Sequence, residues 1–449
     1  MPLLTRSTGS PRPVRRVLAT MGDAVRRTLG ATSRAAAGAL AAARATLAVT
    51  PRHLLVAVVC AVAALVAATL ALATDQPAHR IWGLLATAGY LGGAVTALRS
   101  GRVVAGLRVA AAGAVALPTA VLVVTRMAQP EVGVVERSAR TLLETGSPYL
   151  EHPVTVDGVN PYLPGMSLFG LPSLAPSLGG LGDARWWFLA AFVGTLIAAD
   201  RVARGGLGTE ALLWAVLAFP AVAVQVAVAG HDLPVVGLLC LSLALAARGR
   251  ATVAGLALGV ACSLKASAWP AVAVIGVLVL MRSDWRRAAR FAAVALAVTA
   301  AAVLPVLLGP TGGAMMEQVA GFPMRAGAIL SPASAPTPGV LLAAGGPQAR
   351  LIGYALLALA VAACAGWLVM RPPRTAARAA WMLALALTAA ALVLPTSRAG
   401  YVLYPVVLAA VAVRWRSPAP AGRWPAPDVR DRALEPTGSA RPRSGDGGI

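Results

Sequence analysis

Five carboxylates and one imidazole crowd into a single polar stretch of an otherwise apolar chain. Glu131, Glu136, Glu144, Glu151 and Asp157 lie there with His152, in "PEVGVVERSARTLLETGSPYLEHPVTVDG". Glu131 directly follows an apolar run, which puts it nearest to any membrane surface. A carboxylate held at that height can take a proton from a hydroxyl whose reaction partner is anchored in lipid. The same acids could equally serve to solvate a loop, and composition alone does not separate the two uses. A second feature is the chain's single lysine, Lys265, in "ACSLKASAWP". Every other cation is an arginine, so the lysine stands out. It could anchor a helix end in polar surroundings, or it could bind an anion as a compact charge with three donors. Arg398, in "LPTSRAGYVLYP", sits between the last two apolar runs and could offer a second anion contact. His231 and Asp232, in "AGHDLPVV", precede another run. The residue type and place of Asp232 fit a helix N-cap, and that is the role expected of it.

These residues need a scaffold, and the composition says which kind. The chain has 449 residues, 58% of them hydrophobic and only 12% charged. A soluble domain is nearer half apolar and about a quarter charged. Apolar runs recur with short arginine-bearing breaks, and roughly 20 apolar residues suffice to cross a bilayer. The expected fold is an all-α polytopic membrane protein with about twelve helices, near 53–73, 81–98, 103–126, 185–200, 209–229, 233–247, 251–264, 267–281, 287–308, 351–370, 376–395 and 401–413. Arginines mark one set of breaks: Arg99 and Arg102, Arg201 and Arg204, Arg248 and Arg250, Arg282 to Arg290, Arg371 to Arg378, and Arg414 and Arg416. The positive-inside rule makes these cytoplasmic and, with an even helix number, puts both termini there too, in a multi-pass protein of the cell membrane. Residues 1–52 read as an Arg-rich disordered arm touching anionic lipid, 53–413 as the transmembrane domain, and 414–449 as a disordered tail. Two external loops are long, about 128–183 and 309–350. In the first, Glu136 to Glu144 has the spacing of a short amphipathic helix. "YLPGMSLFGLPSLAP" is apolar but broken by Pro and Gly, as a segment in the membrane interface would be. On this topology Lys265 is at the outer tip of a tight helical hairpin.

The formal charge of +22 does not indicate nucleic acid, because the arginines are spread over termini and loops. There is no phosphate-binding loop, dinucleotide fingerprint or metal-ligand cluster, and Cys60, Cys240, Cys262 and Cys364 all fall in apolar runs without ligand spacing. No cofactor is expected, and a divalent metal is not indicated. A transferase of this kind would draw on an activated donor already in the membrane.

The run from Gly230 to Leu280 resembles polyprenyl-phosphate-dependent glycosyltransferases of the C-fold, glycosyltransferase family 87 in particular. The matching features are Gly230-His231 at a helix start, Arg248 to Arg250 after an apolar run, then Ala254-Gly255, Gly259, Lys265 and Pro270. Upstream, Glu131 followed by Gly146, Pro148 and Tyr149 is similar to the family's long first external loop, which is catalytic. The resemblance implies transfer of a mannosyl or arabinofuranosyl-type sugar, usually with inversion, from a polyprenyl-phosphate donor to a glycolipid or envelope glycan outside the membrane. It implies Glu131 as the base, with Lys265 and Arg398 on the donor phosphate. Tyr149, His152, Tyr162 and His231 are the candidate substrate contacts. The family commonly has Asp where this chain has Glu131, and Glu136 is the rival for that role. Its proline-rich stretch is reduced here to "NPYLPG" around Tyr162. Two other classes stay open: a transporter or flippase of envelope lipids, and a non-catalytic relative. The first is disfavoured by the absence of an internal repeat and by the scarcity of ionisable residues deep in the helices, Arg108 being the main one.

Overall fold

The computed structural model describes residues 49–205, 208–324 and 335–416, and these are mostly helical with no strand among them. Most of the expected terminal arm and tail lies outside the described residues.

The helices follow from apolar runs punctuated by Pro and Gly. α1 (Arg52–Ala73) and α2 (Pro77–Ser100) pack along one another, and α2 ends on Gly101 at φ 64°. That left-handed turn is cheap only for glycine. α3 (Val103–Val124) carries a π-turn at Ala112–Ala116, where Gly113 lies against Gly89 of α2. α4 (Pro130–Thr145) is amphipathic and stops at Gly146, φ 78°. α5 (Ala184–Arg204) is capped by the Asp183 carboxylate, which accepts from Arg185 N at 3.0 Å. α6 (Thr209–Leu217) and α7 (Pro220–Val228) form one run bent by 70° at Pro220. Then come α8 (Leu233–Ala247), α9 (Ala251–Leu264), α10 (Pro270–Arg282) and α11 (Trp285–Leu307). After two short helices, Gly312–Met316 and Pro338–Ala344, come α12 (Pro347–Met370), α13 (Ala376–Val393) and α14 (Leu403–Arg416), the last of the described residues.

Each of the twelve expected apolar segments is therefore helical, but they are not twelve equal spans. Among the described residues seven helices are long and apolar enough to cross a membrane: α1, α2, α3, α5, α11, α12 and α13. The bent pair α6 and α7 would make eight. α8, α9, α10 and α14 are shorter, at 13 to 15 residues. A 15-residue helix is about 22 Å long, less than the apolar thickness of a bilayer. α8 shows why such a helix can be short. It is apolar around its whole circumference and buried along nearly all of its length, packed against α5, α9, α10 and α13. A helix of that kind is solvated by protein, so lipid thickness does not set its length.

α9 crosses α11 at a spacing that only glycine permits. A β-carbon at Gly255 would lie 2.6 Å from Phe291 O, and one at Gly259 2.7 Å from Ala295 O. Small residues four apart let two helix backbones approach this closely. The tight hairpin expected around Lys265 is not formed. α9 and α10 join there but splay: α9 lies along α8 and α11, while α10 packs on α8, α11 and α13. The cause is local. Lys265 has an extended backbone, φ −157° and ψ 139°, and a single 3-10 turn at Ala266–Ala268 redirects the chain before Pro270.

The first long loop is ordered by this scaffold. After α4 it runs as 3-10 turns, Pro164–Leu174 and Pro176–Gly182, which pack on α4, α9 and α5. Part of the second long loop docks on the first: Gln318 Oε1 accepts from Asn160 N at 2.8 Å, and its amide donates to Leu150 O at 2.7 Å.

Candidate active site

Pro130 starts α4 and places Glu131 in its first turn, where a negative charge meets the positive end of the helix dipole. The helix begins six residues before the amphipathic segment expected from Glu136 onward. Its start is pinned: Gln129 N donates to Val228 O of α7 at 2.8 Å. Beside it the buried Arg185 guanidinium pairs with Asp183 and donates to Met127 O and Ala227 O at 2.9 and 2.8 Å. The Glu131 side chain is only 9% exposed. Its Oε1 is paired with Arg398 Nη1, and its Oε2 is buried without a hydrogen-bond partner. Arg398 comes from the extended loop between α13 and α14 and keeps 34% of its side chain exposed. Burial holds its guanidinium below the ordinary arginine value.

Glu136, one turn further along α4, has a different environment. Its Oε1 accepts from Ala184 N at 3.1 Å, so it satisfies the first amide of α5. Burial pushes this carboxyl up, with the Ala184 bond opposing. Its position ties α4 to α5.

A second charged group forms where α8, α9 and α14 meet. Asp232 stands at the N-cap position of α8 but makes no side-chain cap bond, so the expected capping role is overturned. Its carboxylate instead turns to tertiary partners. Oδ1 accepts from Lys265 Nζ at 2.6 Å and from the Tyr404 hydroxyl at 2.6 Å, and Oδ2 lies 3.2 Å from His231 Nε2. Ser267 Oγ meets the Tyr404 hydroxyl at 2.8 Å. Burial would raise the Asp232 carboxyl, but Lys265 first and His231 next outweigh it and hold the group well below the usual carboxylate range. Burial would likewise lower Lys265, and Asp232 reverses that and raises it. Burial lowers the His231 imidazole, with Asp232 opposing. With Nε2 donating to Asp232, Nδ1 is an acceptor, and it is buried without a partner.

Aromatic rings frame the lysine. Its Nζ lies 5.5 Å from the Tyr162 ring centre and 5.2 Å from that of Tyr401, within cation–π range. Tyr162 also tilts against His231 at 5.0 Å. It is fixed from behind: the Tyr149 hydroxyl donates to Tyr162 O at 2.7 Å, and Leu163 N donates to Leu264 O of α9 at 3.0 Å. Tyr401 N donates to Arg398 O at 3.0 Å. One loop thus brings Arg398 to Glu131 and Tyr401 to Lys265.

Of the residues singled out in the sequence, the fold gathers Glu131 with Arg398, and Lys265 with His231 and Tyr162. Tyr149 supports Tyr162 from the buried side. His152 lies on an exposed part of the loop, apart from these contacts. Asp232 as a charge partner, Tyr401, Tyr404 and Ser267 are additions. A usable signal existed for three of them: an acid at the start of a fully apolar helix needs a partner, and Tyr401 and Tyr404 stand three residues apart just after Arg398. No group of three or more His, Cys, Asp and Glu side chains is disposed to hold a metal ion among the described residues.

The cluster holds two cations and two carboxylates, a neutral arrangement with one buried carboxylate oxygen and one imidazole nitrogen unoccupied. It can receive an anion and accept a proton. A family model for glycosyltransferase family 87 matches residues 162–395. No curated protein and no solved structure matches the chain. The matched stretch runs from Tyr162 through His231, Asp232 and Lys265 to the loop that carries Arg398. It covers more than half of the protein, and the chain belongs to glycosyltransferase family 87.

Proposed function

We propose that this chain transfers a sugar, of mannosyl or arabinofuranosyl type, from a polyprenyl-phosphate donor to a glycolipid or cell-envelope glycan at the outer face of the membrane. Both termini are cytoplasmic on this reading, and the first long loop faces outward. The observation that carries the proposal is Glu131 Oε2, a buried carboxylate oxygen with no partner, on a side chain whose other oxygen is held by Arg398. Leaving such an atom unpaired is costly, and an acceptor hydroxyl would satisfy it.

The step balances simply. The acceptor hydroxyl gives its proton to Glu131 Oε2. Its oxygen bonds to the anomeric carbon, and the bond from that carbon to the phosphate oxygen breaks. The electron pair leaves with the polyprenyl phosphate, which gains a negative charge. Lys265 has two N–H bonds beyond the one to Asp232, and Arg398 has further N–H groups beyond the one on Glu131. Protonating Glu131 removes the counter-ion of Arg398 as the leaving phosphate acquires charge, so the guanidinium becomes available to it. On this reading Tyr162 and the unpartnered Nδ1 of His231 are the sugar contacts. Glu136 supports the scaffold through Ala184.

The test is transfer of labelled sugar from polyprenyl-phosphate mannose and polyprenyl-phosphate arabinose to membrane glycolipids, using membranes with wild type, Glu131→Gln, Glu136→Gln and Lys265→Ala. The expected result is transfer by wild type and Glu136→Gln, loss in Glu131→Gln, and weakened donor use in Lys265→Ala. Transfer unchanged by both Glu131→Gln and Lys265→Ala would move the reaction to another site.

A further inference from the structure

Asp232 is the most connected acid near the reacting groups, and the reaction just described does not use it. It is 3% exposed and stands where a helix cap would, yet its oxygens serve Lys265, Tyr404 and His231. Burying a carboxylate is expensive unless its partners are good, and a cap bond would not have required burial to this depth. Lys265 is the other half of the observation. Its side chain is 12% exposed and lies between two aromatic rings. The titratable groups around it are Asp232 and His231 from the start of α8, Tyr162 from the first loop, and Tyr401 and Tyr404 from the last loop and α14. Arg398 of that last loop forms its own pair with Glu131 of α4. Among the groups packed on the lysine, Asp232 alone is anionic at neutral pH. An amine in such surroundings without a counter-ion would release its proton, because burial favours the neutral form.

We propose that Asp232 is a positioning residue for donor binding, which keeps Lys265 charged and fixed beside Tyr162 and Tyr401 so that its two remaining N–H bonds meet the donor phosphate. The inference rests on the lipid-phosphate reading given above. Asp232 touches no substrate and acts through Lys265. The alternative is a strut that merely ties α8 to α9. The two differ in one respect: a strut has no reason to make anion binding depend on pH, whereas a lysine deprived of its counter-ion does.

The experiment uses the full chain in nanodiscs of zwitterionic phospholipid. Undecaprenyl phosphate is the probe and undecaprenol the phosphate-free control. Binding is measured from pH 7.5 to 9.5, above the phosphate's own second titration near 6. Wild type should prefer the phosphate, with an affinity that changes by less than about twofold across that range, since the paired lysine stays protonated. Asp232→Asn should lose about tenfold or more over the same range as the amine deprotonates. Asp232→Asn combined with Lys265→Arg should be flat again, because a guanidinium does not titrate there. A flat Asp232→Asn profile at wild-type affinity, alongside weakened binding by Lys265→Ala, overturns the proposal and leaves the lipid-phosphate reading intact, whereas flat binding as weak as that of Lys265→Ala supports it, the amine being neutral already at pH 7.5. Binding unaffected by Lys265→Ala, or a wild type that does not distinguish phosphate from alcohol, overturns both. If Asp232→Asn does not fold, the wild-type profile decides: a tenfold fall by pH 9.5 shows that Asp232 does not hold the lysine charged.

Discussion

Asp200 and Asp232 stand at opposite ends of the same bundle, and each gathers a cation and an aromatic donor. Asp200, on α5, is fully buried. Its Oδ1 accepts from Arg414 Nε at 3.3 Å and Trp415 Nε1 at 3.1 Å, and its Oδ2 from Thr209 Oγ1 at 2.7 Å and Arg414 Nη2 at 3.2 Å. Both oxygens are satisfied, and the donors come from the ends of α6 and α14. The group closes three helix ends and has nothing left to offer a ligand. The cluster around Asp232 and Glu131 uses the same chemical parts, ten to seventeen residues away along α14 and its preceding loop. It leaves Glu131 Oε2 and His231 Nδ1 buried and bare. Saturation separates a clamp from a site better than charge or burial does, since both clusters are charged and buried.

The sharpest way to break this comparison is at Glu131. Glu131→Gln removes the proton acceptor while keeping a side chain of the same shape. Transfer should fall by about 10²- to 10⁴-fold, the range for losing a general base, with the protein still inserted and folded. A fall of less than about tenfold, measured as initial rate in membranes, would show that the bare oxygen is not the base. Asp200→Ala should do the reverse. Breaking a buried ion pair costs about 3–5 kcal/mol, so detergent-solubilised protein should melt well below wild type while the fraction that remains folded keeps its turnover. Loss of turnover in folded Asp200→Ala protein would mean the two ends are coupled and the contrast is too simple.

Lys265→Ala tests the donor side. Its expected effect is on the KM for the lipid donor, by about 10- to 100-fold, with a smaller change in kcat, because one charge-assisted contact of about 1.5–3 kcal/mol is lost. The smallest effect is expected at Glu136. Glutamine can still accept from Ala184 N, so Glu136→Gln should cost at most about 1 kcal/mol of stability and leave the rate within about threefold of wild type. A rate loss as large as that of Glu131→Gln would exchange the roles of the two acids.

Much of the scaffold is legible in the chain itself. The boundaries of α8 and α9 follow from Asp232, Arg248 to Arg250 and Lys265, because each ends an unbroken apolar run. Glu131 can be singled out because it is the first acid after a helix. The number of spans was not legible, since an apolar run does not reveal whether lipid or protein will surround it, and α8 is surrounded by protein. The hairpin expected at Lys265 does not form for a related reason: two helices adjacent in sequence find better partners in α8 and α11. Asp232 shows the limit most clearly. Its position fits a cap, and a local rule assigned it one, whereas a lysine 33 residues further along, at the end of α9, and a tyrosine from the last helix offered more.

The sequence by itself determined that this is a helical membrane protein of glycosyltransferase family 87, with a polar loop rich in acids and one conspicuous lysine. Those properties are local: hydropathy, punctuation by Pro and Gly, and the order of a few charged residues. The tertiary structure alone decided which charges pair. Glu131 meets Arg398, and Asp232 meets Lys265 and Tyr404, across long stretches of intervening chain. A charge in an apolar protein must find its partner in space, and only helix packing settles which one is within reach.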